Sequence, residues 1–162
     1  MQIRRATSAD AEAVWSIFRQ VVRRGETYVY DPDIGRQEAL AVWLGEQVQT
    51  YVALVADEIV GTYILKANQP GLGDHVANAS FMVDPAYRGQ GWGRLLGEHA
   101  LRQARGAGYL AMQFNLVVAT NTAAVALWEK LGFAVVGTLP RAFRHRSLGL
   151  VDAHVMYRWL AD

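Results

Sequence analysis

Glycines at positions 89, 91 and 93 sit between an apolar run, Phe81-Met82-Val83, and a stretch rich in Leu, Ala and Arg that begins at Trp92. Asp84 precedes Pro85, which holds it extended and ends the run in a turn. A strand that passes through closely spaced glycines into a helix brings backbone close to any ligand. It also aims the helix's first free N–H groups, with the positive end of its dipole, at one spot. The segment is therefore an anion cradle, and a pyrophosphate fits it. Two other phosphate loops are excluded by spacing: no Lys-Ser or Lys-Thr follows the glycines, and the frame of Gly91 puts Leu96 where a dinucleotide fingerprint needs Gly or Ala. Arg88 and Arg94 flank the turn, either as charge-assisted partners of a diphosphate or as ordinary surface arginines.

The rest of the chain supplies a frame for such a turn. Residues 2–6 read as a strand, and Thr7, Ser8 and Asp10 offer cap chemistry for a helix carrying Ala11, Val14, Trp15, Phe18, Val21 and Val22 at helical spacing. A polar and aromatic loop, residues 25–33, precedes a second helix through Ala39, Leu40, Trp43 and Leu44. Strands follow at 50–56 and 59–67, joined through Asp57-Glu58 as a hairpin, then at 75–83. After the glycines come a helix to about residue 107, a strand over 109–118, a helix over 121–131, and closing strands near 133–136 and 151–160. The predicted order is β-α-α-β-β-β-α-β-α-β-β, a mixed α/β architecture in one domain spanning residues 1–162.

Composition narrows the function. With 16 Lys and Arg against 15 Asp and Glu, the net charge of +1 gives no basic excess of the kind that nucleic acid or an anionic membrane selects. The expected partners are small molecules. The chain has no cysteine, so disulfides, thiolate zinc sites and an acyl-cysteine intermediate are excluded, and no metal site is expected. No apolar run approaches the roughly 20 residues of a membrane span, and the expectation is a soluble cytoplasmic protein.

Arg88-x-x-Gly91-x-Gly93 resembles the acetyl-CoA pyrophosphate loop of the GNAT N-acetyltransferase superfamily, and the element order agrees over nearly the whole chain. The resemblance implies a mostly antiparallel sheet whose fourth and fifth strands splay into a V-shaped cleft. It implies acetyl-CoA as co-substrate, with the backbone of Phe81, Met82 and Val83 pairing with the pantetheine arm and residues Arg88, Gly89, Gln90, Gly91, Trp92 and Gly93 holding the pyrophosphate. A second block, Asn121 to Phe133, resembles the family segment in which Asn lies against the coenzyme and a Tyr seven residues later protonates the departing thiolate. Here Trp128 stands in the tyrosine's place. An indole N–H donates a hydrogen bond but releases no proton near neutral pH, so Trp128 is not that acid. A thiol with a pKa of about 8.5 can leave largely as thiolate, helped by water or an N–H donor. Asn121 serves as a helix cap, a coenzyme contact, or both.

Within the superfamily the segments His75-Val76-x-Asn78-Ala79 and Phe114-Asn115-Leu116-Val117, with Trp128, resemble acetyltransferases acting on proline analogues such as azetidine-2-carboxylate. The phosphinothricin-type amino-acid acetyltransferases are a more distant likeness. Asn115, interrupting an apolar strand, either meets the acceptor or marks a bulge. Tyr28 and Tyr30 lie in the loop that the resemblance assigns to the acceptor pocket, or they are packing. An ammonium acceptor must lose a proton before attack. If Ala77, Ala79 and Phe81 face the cleft, so does His75, which makes it the candidate base. Glu26 is a further possibility. The sequence is thus read as an N-acetyltransferase acting directly on a small amine or amino acid. The alternatives are acetylation of a protein N-terminus or lysine, and a coenzyme-binding sensor without catalysis. A homodimer is expected by analogy only.

Overall fold

The computed structural model describes residues 2–161. Its strands are β1 (Gln2–Arg5), β2 (Gln49–Val55), β3 (Glu58–Ala67), β4 (Val76–Val83), β5 (Ala111–Val118), β6 (Ala134–His145) and β7 (Gly149–Trp159). The helices are α1 (Ala11–Val22), α2 (Arg36–Leu44), α3 (Trp92–Gly106) and α4 (Thr122–Lys130), so the long elements follow the predicted order. The strands form one sheet in the order β1-β2-β3-β4-β5-β7-β6. Every neighbouring pair is antiparallel except β4 and β5.

That parallel pair joins only at Val76↔Ala111 and Ala77↔Met112, after which the two strands diverge. The side chains of β4 alternate between two cores, as a period of two requires. Ala77 and Ala79 lie with Tyr63, Leu96, Met112, Phe114 and Trp128 beneath α3 and α4. Met82 lies with Val14, Phe18, Trp43, Val52 and Ile64 beneath α1 and α2. Helices α3 and α4 cross closely because position 97 has no side chain: a Cβ there would lie 2.6 Å from Leu131 Cδ1 and 3.1 Å from Trp128 Cζ3. At the first turn of the fold, buried Asp10 accepts two bonds from the Arg4 guanidinium, at 2.8 and 2.9 Å, and one from Thr7 N–H at 2.7 Å. This pairing holds the Asp10 carboxyl down to about 2.

Two elements differ from the sequence reading. The β2–β3 turn falls on Ala56-Asp57, both with positive φ (45° and 69°), one residue earlier than expected. A two-residue hairpin of this hand needs two left-handed residues in succession, and the strand twist selects that geometry over the local preference of Ala56. Strand β6 continues to His145, far beyond residue 136, so Arg141, Arg144 and His145 lie in a strand rather than a loop. Pro140 is tolerated because β6 is the sheet edge, and the register slips between Leu139 and Phe143 beside Arg141 at φ 54°.

Candidate active site

The cleft opened by the divergence of β4 and β5 has a volume of about 910 Å³ and is lined from the residue 25–33 loop, β3, β4, the glycine turn, β5, α4 and the β6–β7 end. At its mouth Asp84 accepts from Ala86 N–H at 2.8 Å, fixing a short 3-10 turn over Pro85–Tyr87 that leads into the glycines. Gly89 (φ 75°) and Gly91 (φ 86°) take left-handed conformations that L side chains avoid, and a Cβ at either would meet nothing within 4 Å. Trp92, 3 % exposed, buries its ring in the core and fixes the first turn of α3. Among the described residues, the backbone N–H groups of Gly89, Gln90, Gly91, Trp92, Gly93 and Arg94 donate to no protein acceptor; the first helical bond runs from Leu95 N–H to Gly91 O. Six successive free donors at a helix start, beside open space, suit a diphosphate. Arg88 and Arg94 both line the cleft, and Arg94 pairs with Glu98 at 2.7 Å. Burial and the nearby Arg24 lower the Arg88 pKa, and Glu26 opposes the shift.

The edge of β4 is more selective than the sequence reading. Alternate residues turn their backbone groups to opposite sides, and Asp84 N–H bonds back to Val60 O on the β3 side. Met82 is directed to β3 in the same way, opposite Thr62, and its side chain is buried. Of the three residues assigned to the pantetheine arm, Met82 lines the cleft through its side chain, and Phe81 and Val83 turn N–H and C=O groups to it. Those of Phe81 are engaged by a single hydroxyl. Tyr28 Oη accepts from Phe81 N–H at 2.9 Å and donates to Phe81 O. Burial raises the Tyr28 pKa far above the ordinary phenol range, against a smaller opposing effect of the Phe81 backbone, so Tyr28 stays a neutral phenol.

Trp128 is wedged between Phe81 and Phe114, with ring centroids 4.8 Å from each. It lines the cleft, and its indole N–H donates to no protein acceptor among the described residues. Asn121 accepts from Ala124 N–H as the cap of α4 and also lines the cleft. Asn115 sits where the β5–β7 register shifts between Phe114 and Val117. Its amide donates to Asn68 Oδ1 at 2.7 Å and accepts from Gln113 Nε2 at 2.9 Å, so the bulge has partners within the protein, although Asn115 also lines the cleft.

His75 is not brought to this site. It is an exposed turn residue before β4, its carbonyl accepts from Leu110 N–H, and it is absent from the cleft lining. Phe81 lies six residues further along, about 20 Å at strand rise. On the face that His75 shares with Ala77, Ala79 and Phe81, only Ala79 and Phe81 line the cleft, because the end of β4 next to His75 is paired with β5 and closed. The sequence reading missed Lys66 and Ser80, which line the cleft on the α1 and α2 side. The alternation of Asn78 and Ser80 within an apolar strand was the signal that could have found them.

The model of the Acetyltransferase (GNAT) family matches residues 12–133. The chain belongs to the GNAT acetyltransferase family. Curated relatives include the N-acetyltransferase aca1 of Schizosaccharomyces pombe, 38 % identical over 98 residues; the match covers 60 % of this chain and 47 % of the relative, about half its length. The peptidyl-lysine N-acetyltransferase YjaB of Salmonella typhimurium is 31 % identical over 138 residues, covering 85 % of this chain and 86 % of YjaB. Among solved structures, a GCN5-related N-acetyltransferase from Kribbella flavida superposes with a TM-score of 0.93 at 47 % identity, covering 98 % of this chain and 97 % of that one. Among the described residues, no helix of this GNAT protein is long and apolar enough to cross a membrane, and no group of three or more His, Cys, Asp or Glu could hold a metal.

Proposed function

We propose that this GNAT protein transfers acetyl from acetyl-CoA directly to the amino group of a small acceptor, an amino acid or an analogue of one. The observation that carries the reading is the run of free N–H donors from Gly89 to Arg94 beside the unpaired edge of β4. These donors and Arg88 fit the diphosphate, Val83 and Phe81 fit the amide-bearing arm, and the open space at Gly89 and Gly91 leaves room for both. The thioester supplies the acetyl group. Phe81 N–H is the donor suited to the thioester carbonyl, and the Tyr28 hydroxyl gives up this contact when the arm enters. Trp128 N–H, free in the cleft, assists the thiolate as it leaves without protonating it. Tyr28, Tyr30 and Asn115 shape the acceptor end, and Asn121 lies against the coenzyme arm. Attack by the amine on the thioester carbon forms the amide bond as the carbon–sulfur bond breaks, and the amine proton passes to water in the open cleft.

The similarity to YjaB favours a second reading, transfer to a peptide lysine. A second cavity, lined by Arg23, Asp31, Asp33, Arg144 and Arg146, adjoins the cleft through Tyr28, Tyr30 and His145 and could seat a peptide chain. Thermal melting with and without saturating acetyl-CoA tests the donor, and thiol release across amino acids, proline analogues, phosphinothricin and lysine peptides tests the acceptor. The absence of any stabilisation refutes the donor assignment, and turnover confined to peptides selects the second reading.

A further inference from the structure

We propose that Lys66 and Ser80 form a carboxylate subsite that restricts this enzyme to acceptors bearing an acid group close to the reacting amine. The inference rests on the acetyl-transfer reading and names its substrate class. Lys66 stands opposite Asn78 in the β3–β4 register, and Ser80 is the next residue on that face, opposite Ile64. All four line the cleft. Among the described residues, neither the Lys66 ammonium nor the Ser80 hydroxyl has an ion-pair or hydrogen-bond partner, while Asn78 is held in place by a bond from Nδ2 to Gln113 O at 3.0 Å. The surrounding surface is apolar, formed by Val21, Ile64 and Met82. One cation and one hydroxyl donor on an apolar wall match an anion that accepts from both.

The other charges of the cleft are spoken for. Arg94 is paired with Glu98, and Arg88 belongs to the glycine turn, where Glu26 only partly offsets the effects of burial and Arg24. Glu26 is the one carboxylate among the described residues lining the cleft, and it acts on Arg88. His145 cannot take the role of Lys66, because its Nδ1 accepts from Ser147 and Leu148 N–H and leaves a single N–H to offer. Spacing sets the length of the acceptor. Asn78 and Phe81 are three residues apart, about 10 Å along the strand. Lys66 is exposed at the cleft, and its four-carbon stem, extended along the strand toward Phe81, would span a good part of that distance and bring an anion at its tip within a few bonds of an amine poised at Phe81. An α- or β-amino acid satisfies this, whereas a polyamine, a lysine side chain in a peptide, or a protein N-terminus places no carboxylate there.

The test uses the full chain with acetyl-CoA and a panel of α-amino acids, β-alanine and azetidine-2-carboxylate, each beside its carboxamide. For the wild type, kcat/KM for the acids exceeds that for the carboxamides by about tenfold or more, the magnitude of one charge-assisted contact. Lys66→Met abolishes this preference by raising the KM of the acids, and Lys66→Arg retains part of it. Ser80→Ala reduces the preference severalfold. Binding of the acids without acetyl-CoA, followed by calorimetry, weakens in parallel. Equal use of acids and carboxamides, turnover confined to amines without a carboxylate, or an unchanged preference in Lys66→Met overturns the subsite while leaving acetyl transfer intact. Failure of acetyl-CoA to stabilise the wild type instead refutes the reading beneath it.

Discussion

Replacement of Gly91 by alanine isolates the backbone term of the anion cradle. Gly91 caps α3 at φ 86° and ψ 1°, and an alanine held there bears the left-handed penalty of about 1–2 kcal/mol. Its methyl group meets no atom within 4 Å, so neither a clash nor new packing alters that figure. A domain of this size loses about 2–4 °C of Tm per kcal/mol, which puts Gly91→Ala roughly 2–8 °C below the wild type in ligand-free melting. Gly91→Asn loses less, because asparagine enters the left-handed region more readily. Gly93→Ala is the control: it sits in the first turn of α3, where alanine is favoured over glycine by about 1 kcal/mol. Its Cβ would approach only Leu127 Cδ2, the end of a side chain, at 3.1 Å, and its Tm stays within about 2 °C of the wild type. The methyl at 91 also points into the open space assigned to the diphosphate, so Gly91→Ala loses most of the stabilisation by acetyl-CoA. A Gly91→Ala protein that melts with the wild type, or a Gly93→Ala protein that falls equally far, refutes the conformational argument.

Other consequences follow from particular contacts. The Asp10 carboxyl is depressed to about 2 in the folded state, so its pairing with Arg4 stabilises fully above the unfolded value near 4 and is lost as pH falls from about 4 to 2. Because Arg4 is partly exposed, Asp10→Asn removes roughly 1–2 kcal/mol at pH 7, and urea titrations show a smaller acid-side loss of stability in the variant than in the wild type. Trp128→Phe keeps the aromatic wedge but deletes the free N–H, and steady-state kinetics show kcat lowered by about tenfold with the KM for acetyl-CoA within about twofold. An unchanged kcat excludes the indole from thiolate departure. Tyr28→Phe releases the Phe81 edge from its hydroxyl, and calorimetry shows acetyl-CoA binding tightened by about fivefold, the equivalent of about 1 kcal/mol of hydrogen bonding no longer displaced.

The glycine turn and the order of elements were legible because each rests on local chemistry: Asp84-Pro85 stops a strand, glycines accept left-handed φ, and periodicity separates helices from strands. What depended on partners distant in sequence was not. The backbone groups of Phe81 are claimed from residue 28, 53 positions away, and no pattern within β4 announces this. His75 was misplaced because strand parity tells which residues share a face, and not which part of a strand borders the gap; that is decided by where β4 and β5 stop pairing. Strand β6 was cut short at residue 136, while the ladder to β7 slips past Pro140 and resumes at Phe143↔Val151.

Beyond two paired positions and the bond from Asn78 to Gln113 O beside them, β4 and β5 run apart, so the angle at which the half-sheets open is set by what is wedged between them. That wedge is a stack of rings, Phe81, Trp128, Phe114 and Phe133, in successive contact. A chamber propped by side chains can be resized by exchanging one ring for another, with every rung of the neighbouring ladders left in place. Acceptor range in a protein built this way is a property of its props and can drift without the scaffold noticing.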